Sequence, residues 1–262
     1  MIVIHFGYLG ELFANMGSSV VGLLTSSISF FFTFHVLYNF MYFTSSQSYD
    51  KSIIVKKSAA DDDVYLTSLW KLTINTSLLS VFMLQHSFMA SQTVKQFYEK
   101  LRIVELERSV YNAASAAALH LIMTNWELIS SISLWHIDTS ASNKLWLIFS
   151  GFHLLAWFVI YSGCVMLDIS ELTGLKQVWY KMSNRPCPMS TKSREYQRYL
   201  LHMRHPSFTA FLIILWVHPL MTIDRFLMAS IITVYMLIMW TIDETDYHYH
   251  AMNVDRKRRE LS

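Results

Sequence analysis

Six long apolar runs constrain this chain more than any other feature of its sequence. They lie near residues 19–43, 72–90, 110–129, 145–167, 206–223 and 226–242. A helix needs roughly 20 apolar residues to cross about 30 Å of hydrocarbon, and the first four runs have about that length. The composition, 53% hydrophobic and 15% charged with a mean hydropathy of +0.31, is far from that of a soluble domain. We therefore predict an all-α, polytopic membrane protein with about six transmembrane helices in one domain, residues 1–262.

The last two runs are shorter and closely spaced. Only Thr222-Ile223-Asp224-Arg225 separates them, and these polar residues with an adjacent opposite-charge pair suit a tight turn. At about 1.5 Å per residue, a helix of 18 residues reaches about 27 Å. The pattern predicts a C-terminal helical hairpin that just spans the bilayer, with its turn at the far interface and both of its ends at the near one.

The distribution of Lys and Arg predicts the orientation of the chain. Segments 91–109, 168–205 and 243–262 carry 15 of the 21 basic residues. These segments lie on one side of the membrane if the chain crosses it six times, and basic loops favour the cytosolic side. Both termini are therefore expected on the cytosolic or nucleoplasmic face.

The sequence lacks the usual signatures of metal, nucleotide or nucleophile chemistry. With seven glycines there is no Gly-rich phosphate loop. His202 with His205, and His248 with His250, have spacings that a metal site can use, but their basic surroundings favour histidines at the membrane interface. We expect no bound metal, and we expect Cys164 and Cys187 to be free thiols.

A basic cluster near the C-terminus predicts contact with the membrane surface. Arg256, Lys257, Arg258 and Arg259 follow the last apolar run. Basic residues just inside a bilayer bind anionic headgroups with about 1 kcal/mol each. The lipid bilayer is thus the expected partner of the chain, and direct binding to nucleic acid is not expected.

Several polar residues fall inside the apolar runs, where they are costly unless they are bonded. For His35, Gln85, His86 and His153 we favour a role in helix packing, since His and Gln side chains bond neighbouring helices in membranes. Asn75 begins a glycosylation sequon, but it lies within a predicted span and should be unused.

One acidic pair is expected to act near the inner face. Asp168 and Glu171, followed by Gly174 and Lys176, are expected to extend the fourth helix into the inner compartment and to pair with the basic loop.

Four blocks of sequence are distinctive: LQHSFMAS at 84–91, ERSVYNAASAAALHLIMTNWELI at 107–129, LDISELTGLKQVWY at 167–180 and the segment 202–250. These blocks resemble the nurim family. The resemblance covers about 84–250 in register and extends weakly to the first span. It implies a multi-pass protein of the inner nuclear membrane, with nuclear envelope proteins as candidate partners.

The nurim family is in turn distantly similar to isoprenylcysteine carboxyl methyltransferases. In those enzymes an Arg-His-Pro motif precedes a membrane hairpin and acidic residues follow it, and together they enclose S-adenosylmethionine. The matching positions here are Arg204, His205, Pro206 and Glu244. The resemblance implies that Arg204, His205 and Glu244 are candidate cofactor-binding residues, although the Gly-Pro-Tyr lead-in of the enzymes is absent before Arg204.

The sequence is compatible with three functions. Arg204 and Glu244 would meet across the mouth of the hairpin, where an ion pair would close the structure without any ligand. The same residues could instead hold S-adenosylmethionine, either for carboxyl methyl transfer or without turnover. We favour the structural or interaction role, in which the chain is not an enzyme and needs no cofactor.

Overall fold

Two helices are long enough and apolar enough to cross a membrane. A computed structural model describes residues 2–46, 61–193, 207–239 and 244–261 of the chain. Helix α1 spans Ile2–Ser45 and helix α5 spans Asn143–Met166. In the described ranges, Val20–Ser45 and Asn143–Met166 are the two segments long and apolar enough to cross a membrane by a strict criterion of length and hydropathy. They coincide with the predicted first and fourth spans, whereas the total of six spans stays a prediction.

The second and third apolar runs also form helices. Helix α2 covers Asp61–Met89 and α4 covers Glu107–Asn125. The third run was expected to continue as helix to residue 129, but the chain leaves the helix at Trp126, which has an extended backbone. Residues 126–129 instead form a loop that is held by side chains of α2 and of a later helix.

The C-terminal hairpin differs from the prediction in both its turn and its first arm. Helix α8 spans Phe208–Trp216, a short strand β2 spans Leu220–Thr222, and helix α9 spans Ile223–Met239. The chain therefore reverses at Val217, His218 and Pro219, not at residues 222–225. A nine-residue helix is about 13.5 Å long, so α8 is about half as long as the helix that the run at 206–223 predicted.

A small antiparallel sheet was not predicted. Strand β1 spans Ser133–His136 and pairs with β2, with Trp135 opposite Met221 and His136 opposite Leu220. The sheet joins the loop after α4 to the loop before α9. It involves so few residues that the all-α class is confirmed.

Shorter elements connect the long helices. In chain order they are α3 (Gln92–Leu101), a 3₁₀ turn (Val104–Leu106), α6 (Ile169–Leu172), α7 (Leu175–Met182), a second 3₁₀ turn (Pro188–Thr191) and the C-terminal helix α10 (Glu244–Leu261).

Helix α8 lies between the two halves of the bundle. One buried cluster joins α1, α5 and α8 and contains Phe40, Ala156, Trp157, Ile160, Ala210 and Ile214. A second joins α2, α4, α8 and α9 and contains Leu79, Ile122, Leu215, Met228, Ala229 and Met236. Adjacent residues of α8, Ile214 and Leu215, thus belong to different clusters. This short helix fills the centre of the bundle.

The outward surface of the long helices is apolar. On α5, Leu154 is 74% exposed and Phe158 is 67% exposed, and on α1 Phe31 is 71% exposed. Large exposed apolar surfaces are rare on soluble monomers and are expected where lipid tails surround a helix.

The central position of α8 leads to a stability prediction. Replacing Ile214 with Ala should leave a cavity between the clusters and lower the free energy of unfolding in detergent by about 2 kcal/mol. That is the low end of the large-to-small range, because lipid tails reward apolar burial less than water does. Leu154→Ala, on the outward face of α5, is the control. Equal melting temperatures for the two variants would contradict the central role of α8.

Candidate functional site

A tight turn after α5 organises one end of the bundle. Asp168 has a backbone φ of +67° and caps α6, where its Oδ1 accepts hydrogen bonds from the Ser170 amide at 3.1 Å and the Glu171 amide at 3.3 Å. Its Oδ2 lies 2.6 Å from Lys176 Nζ. Partial burial alone would raise the pKa of Asp168, but the hydrogen bonds from Lys176 and Ser170 outweigh it and lower the pKa to about 2.

The expected pairing of the acidic residues with the basic loop is confirmed, but the expected extension of the helix is wrong. Helix α5 ends at Met166, because the positive φ of Asp168 is incompatible with a right-handed helix. Glu171 is buried, and its Oε2 lies 3.0 Å from Lys192 Nζ and 3.6 Å from Lys176 Nζ. The turn is therefore held by a cluster of ion pairs.

Gly174 allows this turn to pack directly on α4. It has a φ of +89°, and a Cβ at this position would lie 2.4 Å from Ser109 Oγ and 2.6 Å from Ser109 N. Hydrogen bonds join the same surfaces: Ser109 Oγ donates to Thr173 O at 3.3 Å, and Asn112 Nδ2 donates to Leu172 O at 2.8 Å. The turn is thus fixed to α4 by both shape and hydrogen bonds.

Helix α1 also joins this contact. Ser29 Oγ donates to the carbonyl oxygen of Ser109 at 2.6 Å. Ser29, Ser109 and Thr173 are buried, so α1, α4 and the turn after α6 are joined by hydrogen bonds in the protein interior.

A partly open cavity of about 740 Å³ lies beside the turn. We call it the inner cavity. Its wall is built from the end of α2, from α3 and the 3₁₀ turn after it, from the start of α4, and from α6 with the segment that follows it. The lining residues are Met89, Ala90, Lys95, Val104, Glu105, Glu107, Arg108, Tyr111, Asn112, Glu171, Leu172, Gln177, Tyr180, Lys181, Arg185, Cys187, Pro188 and Met189.

Some charges in the inner cavity are satisfied and others are not. Lys181 forms an ion pair with Glu105. Arg185 lies over the ring of Tyr180, with its guanidinium carbon 5.7 Å from the ring centroid. The side chains of Lys95 and Arg108 form no hydrogen bond or ion pair with any residue that the structure describes.

A polar cluster lies behind the cavity, between α2 and α4. Tyr111, which lines the cavity, has its hydroxyl 2.7 Å from His86 Nε2, and His86 Nδ1 lies 3.3 Å from Ser115 Oγ. Ser87 and Tyr235 extend the contact to α9 with a distance of 2.9 Å between their hydroxyl oxygens. His86 therefore joins helices, as predicted.

The opposite end of the bundle is closed by buried hydrogen bonds. Asp224 is fully buried, and its carboxylate accepts hydrogen bonds from Trp126 Nε1 at 3.0 Å and from the Ile129 amide at 3.2 Å. Arg225 donates to Thr44 O at 2.7 Å. The sequence placed both residues in a turn between two helices, which is wrong, because both lie in the first turn of α9.

Two other polar residues of the apolar runs also hold this end together. Asn75 exchanges two hydrogen bonds with the backbone of Glu127, at 2.8 and 2.9 Å. His153 contacts Ser45 Oγ and Val217 O, each at 2.8 Å. His153 thus has the predicted packing role.

Most of the site predicted from the sequence lies outside the described residues. Arg204 and His205 belong to the segment 194–206, which the structure does not describe. Glu244 is the first residue of α10. The predicted meeting of Arg204 and Glu244 therefore stays a prediction.

Other predicted residues can be placed. Arg256, Lys257, Arg258 and Arg259 are exposed on α10. Cys164 and Cys187 are free thiols, as expected. Within the described part of the chain, no group of three or more His, Cys, Asp or Glu side chains is arranged to hold a metal ion.

Sequence reasoning did not find the inner cavity. Its basic lining comes from segments 91–109 and 168–205, which the charge distribution had marked only as cytosolic. Two basic segments predicted on the same face are a signal that they can meet, but nothing local shows that Lys95 and Arg108 have no acidic partner among the residues that the structure describes.

The contact of Gly174 with Ser109 leads to the second prediction. Gly174→Ala should lower the melting temperature in detergent by several degrees, because the new methyl group overlaps α4 and alanine is strained at positive φ. Gly151→Ala is the matched control, since a Cβ there meets nothing within 4 Å. If both variants have the melting temperature of the wild type, the proposed close contact between Gly174 and Ser109 is contradicted.

Comparison with known proteins identifies the family. The chain is 36% identical over 246 residues to a Nurim homolog of Drosophila pseudoobscura pseudoobscura, covering 93% of this chain and 97% of that protein. It is 34% identical over 249 residues to the Nurim homolog of Drosophila melanogaster, covering 94% and 98%. It is also 34% identical over 204 residues to Nurim of Bos taurus, covering 77% and 76%. No protein-family model and no solved structure matches the chain. These similarities, which extend over most of the chain, show that it belongs to the nurim family.

Proposed function

We propose that this chain is a multi-pass protein of the inner nuclear membrane with a structural or interaction role rather than an enzymatic one. The observation that carries the proposal is the similarity to nurim proteins over nearly the whole chain. The inner nuclear location comes from the family resemblance.

The apolar exterior of α2 supports a span count higher than two. Its outward residues include Trp70 at 67% and Leu84 at 70% exposure. The hydroxyls that lower its hydropathy donate to carbonyls four residues earlier in the same helix, at 2.7–2.9 Å, in Thr73, Thr76, Ser77 and Ser80. A bonded hydroxyl costs much less in hydrocarbon than a free one, so hydropathy alone underrates this helix as a span.

The two ends of the bundle support the proposed orientation. Lys181 Nζ donates to Arg102 O at 3.1 Å, so the basic segments 91–109 and 168–193 meet at one end. The other end joins residues 126–137 to residues 217–225 and contains few basic residues. This separation of basic and non-basic ends supports an orientation with the basic end, and both termini, on the nucleoplasmic or cytosolic face.

A split fluorescent protein tests location and orientation together. One fragment is fused to the C-terminus, and its complement carries a nuclear import signal. We expect fluorescence at the nuclear rim, because the positive-inside rule puts the C-terminus in the nucleoplasm. A fragment inserted after Ser140, in the loop at the opposite end, is the control and should give no signal. Fluorescence only with a lumenal complement would contradict the orientation, and a signal spread over the peripheral endoplasmic reticulum with a cytosolic complement would contradict the location.

We propose as a second function that Arg204, His205 and Glu244 hold S-adenosylmethionine, for carboxyl methyl transfer or without turnover. The observation that favours it is the Arg-His-Pro pattern before the last apolar segments and the acidic residue after them. Arginine would bind the carboxylate of the methyl donor with two parallel hydrogen bonds, and the glutamate would accept from its amine or ribose.

Two measurements on the same variants separate the structural and the ligand-binding roles. If Arg204 and Glu244 pair, the double variant Arg204→Ala, Glu244→Ala should lose less stability than the sum of the losses in the two single variants. The coupling free energy should be about 0.5–3 kcal/mol. Arg256→Ala, at an exposed position of α10, is the control, and its effect on stability should add to that of Glu244→Ala without coupling. Strict additivity would contradict the pair. Calorimetric titration of the purified protein with S-adenosylmethionine then decides the role: heat in the wild type that both variants abolish supports the methyl-donor site, and no heat in the wild type rules it out.

A further inference from the structure

We propose that the inner cavity binds the headgroup of an anionic phospholipid with hydroxyl groups, of the phosphatidylinositol class. This inference concerns the cavity alone and does not depend on the nuclear location or on the methyl-donor proposal. It rests on the charge of the cavity, on its depth relative to the membrane and on an unsatisfied hydrogen-bond acceptor in its wall.

The described lining of the cavity has an excess of positive charge. The ion pair of Lys181 with Glu105 is neutral, and Glu171 is neutralised by Lys192 and Lys176. The charges that remain are those of Lys95, Arg108, Arg185 and Glu107. Three cations against one carboxylate favour an anion, and a phosphate with several acceptor oxygens can use both Lys and Arg.

Helix α3 places the mouth of the cavity at headgroup depth. It is amphipathic: Tyr98 is buried against the protein, while Phe97 and Leu101 are more than half exposed. Lys95 and Lys100 lie on the same helix. An amphipathic helix with exposed apolar residues and lysines is typical of a segment that lies in the membrane interface. Lys95, which lines the cavity, is then at the level of lipid phosphates.

The wall of the cavity also suits an amphiphile. Apolar side chains of Met89, Val104, Leu172 and Pro188 line it beside the charged ones. A volume of about 740 Å³ is that of a small-molecule site. An anionic head with an apolar remainder matches this mixture better than a fully soluble anion does.

Gln177 favours a headgroup that can donate hydrogen bonds. Its Nε2 donates to Glu171 O at 3.0 Å, while its Oε1 is buried and has no hydrogen-bond partner among the described residues. A buried acceptor without a partner is costly. An inositol headgroup carries hydroxyl donors for such an acceptor, whereas phosphatidylcholine carries none.

Binding of short-chain lipids to the full-length protein in detergent tests the proposal. We expect phosphatidylinositol to bind at least roughly tenfold more tightly than phosphatidylcholine, and the double variant Lys95→Gln, Arg108→Gln to lose roughly tenfold or more of that affinity. Lys100→Gln, a lysine of the same helix that does not line the cavity, is the matched control and should bind like the wild type.

Further variants and a soluble ligand in the same binding experiment identify the ligand and separate loss of charge from loss of folding. Lys95→Arg with Arg108→Lys keeps both charges and should keep most of the affinity, so an equal loss in this variant and in the neutral one would overturn the proposal. Neutralising residues 256–259 on α10 should leave the affinity unchanged, and loss there instead would assign the lipid to α10. Equal affinity for soluble inositol phosphate would overturn the lipid source in favour of a soluble phosphate ester.

Discussion

The buried carboxylate of Asp224 sets how the second half of the chain is arranged. It accepts hydrogen bonds from Trp126 and from the amide of Ile129, both on the loop after α4. Inside a bundle that water does not enter, a carboxylate must be satisfied by the protein. The start of α9 is therefore held against that loop. The pairing of β1 with β2 joins the same two segments next to this attachment point.

The sequence predicted well those features that depend on neighbouring residues. The spans at 19–43 and 145–167 follow from length and hydropathy alone, and the pairing of Asp168 with Lys176 needs only eight residues of chain. The reversal at residues 217–219 could not be predicted, because Asp224 and Arg225 together look like a polar turn. Their partners Trp126 and Thr44 are 98 and 181 residues away, and no local pattern shows that they meet. The inner cavity is assembled from separate segments in the same way.

The two ends of the bundle are held together in different ways. At the end near Asp224, buried donors and acceptors meet one another, as in the exchange between Asn75 and Glu127. At the other end, Gly174 and Ser109 bring the α6–α7 turn against α4 closely enough to exclude water from that contact. This close fit leaves the inner cavity to one side, so the rigid turn forms part of its wall.

The position of the unpaired cations is consistent with the energetic cost of charge at different depths. At the end of the bundle near Asp224, the buried carboxylate accepts hydrogen bonds from Trp126 and from the amide of Ile129. Lys95 and Arg108 instead line a partly open cavity beside the amphipathic helix α3. Water can enter a partly open cavity, so the cost of an unpaired cation is small and its attraction for an anion is retained. The lack of acidic partners for these two residues among the described parts of the chain is thus cheap for folding, and it leaves both side chains available to the proposed ligand.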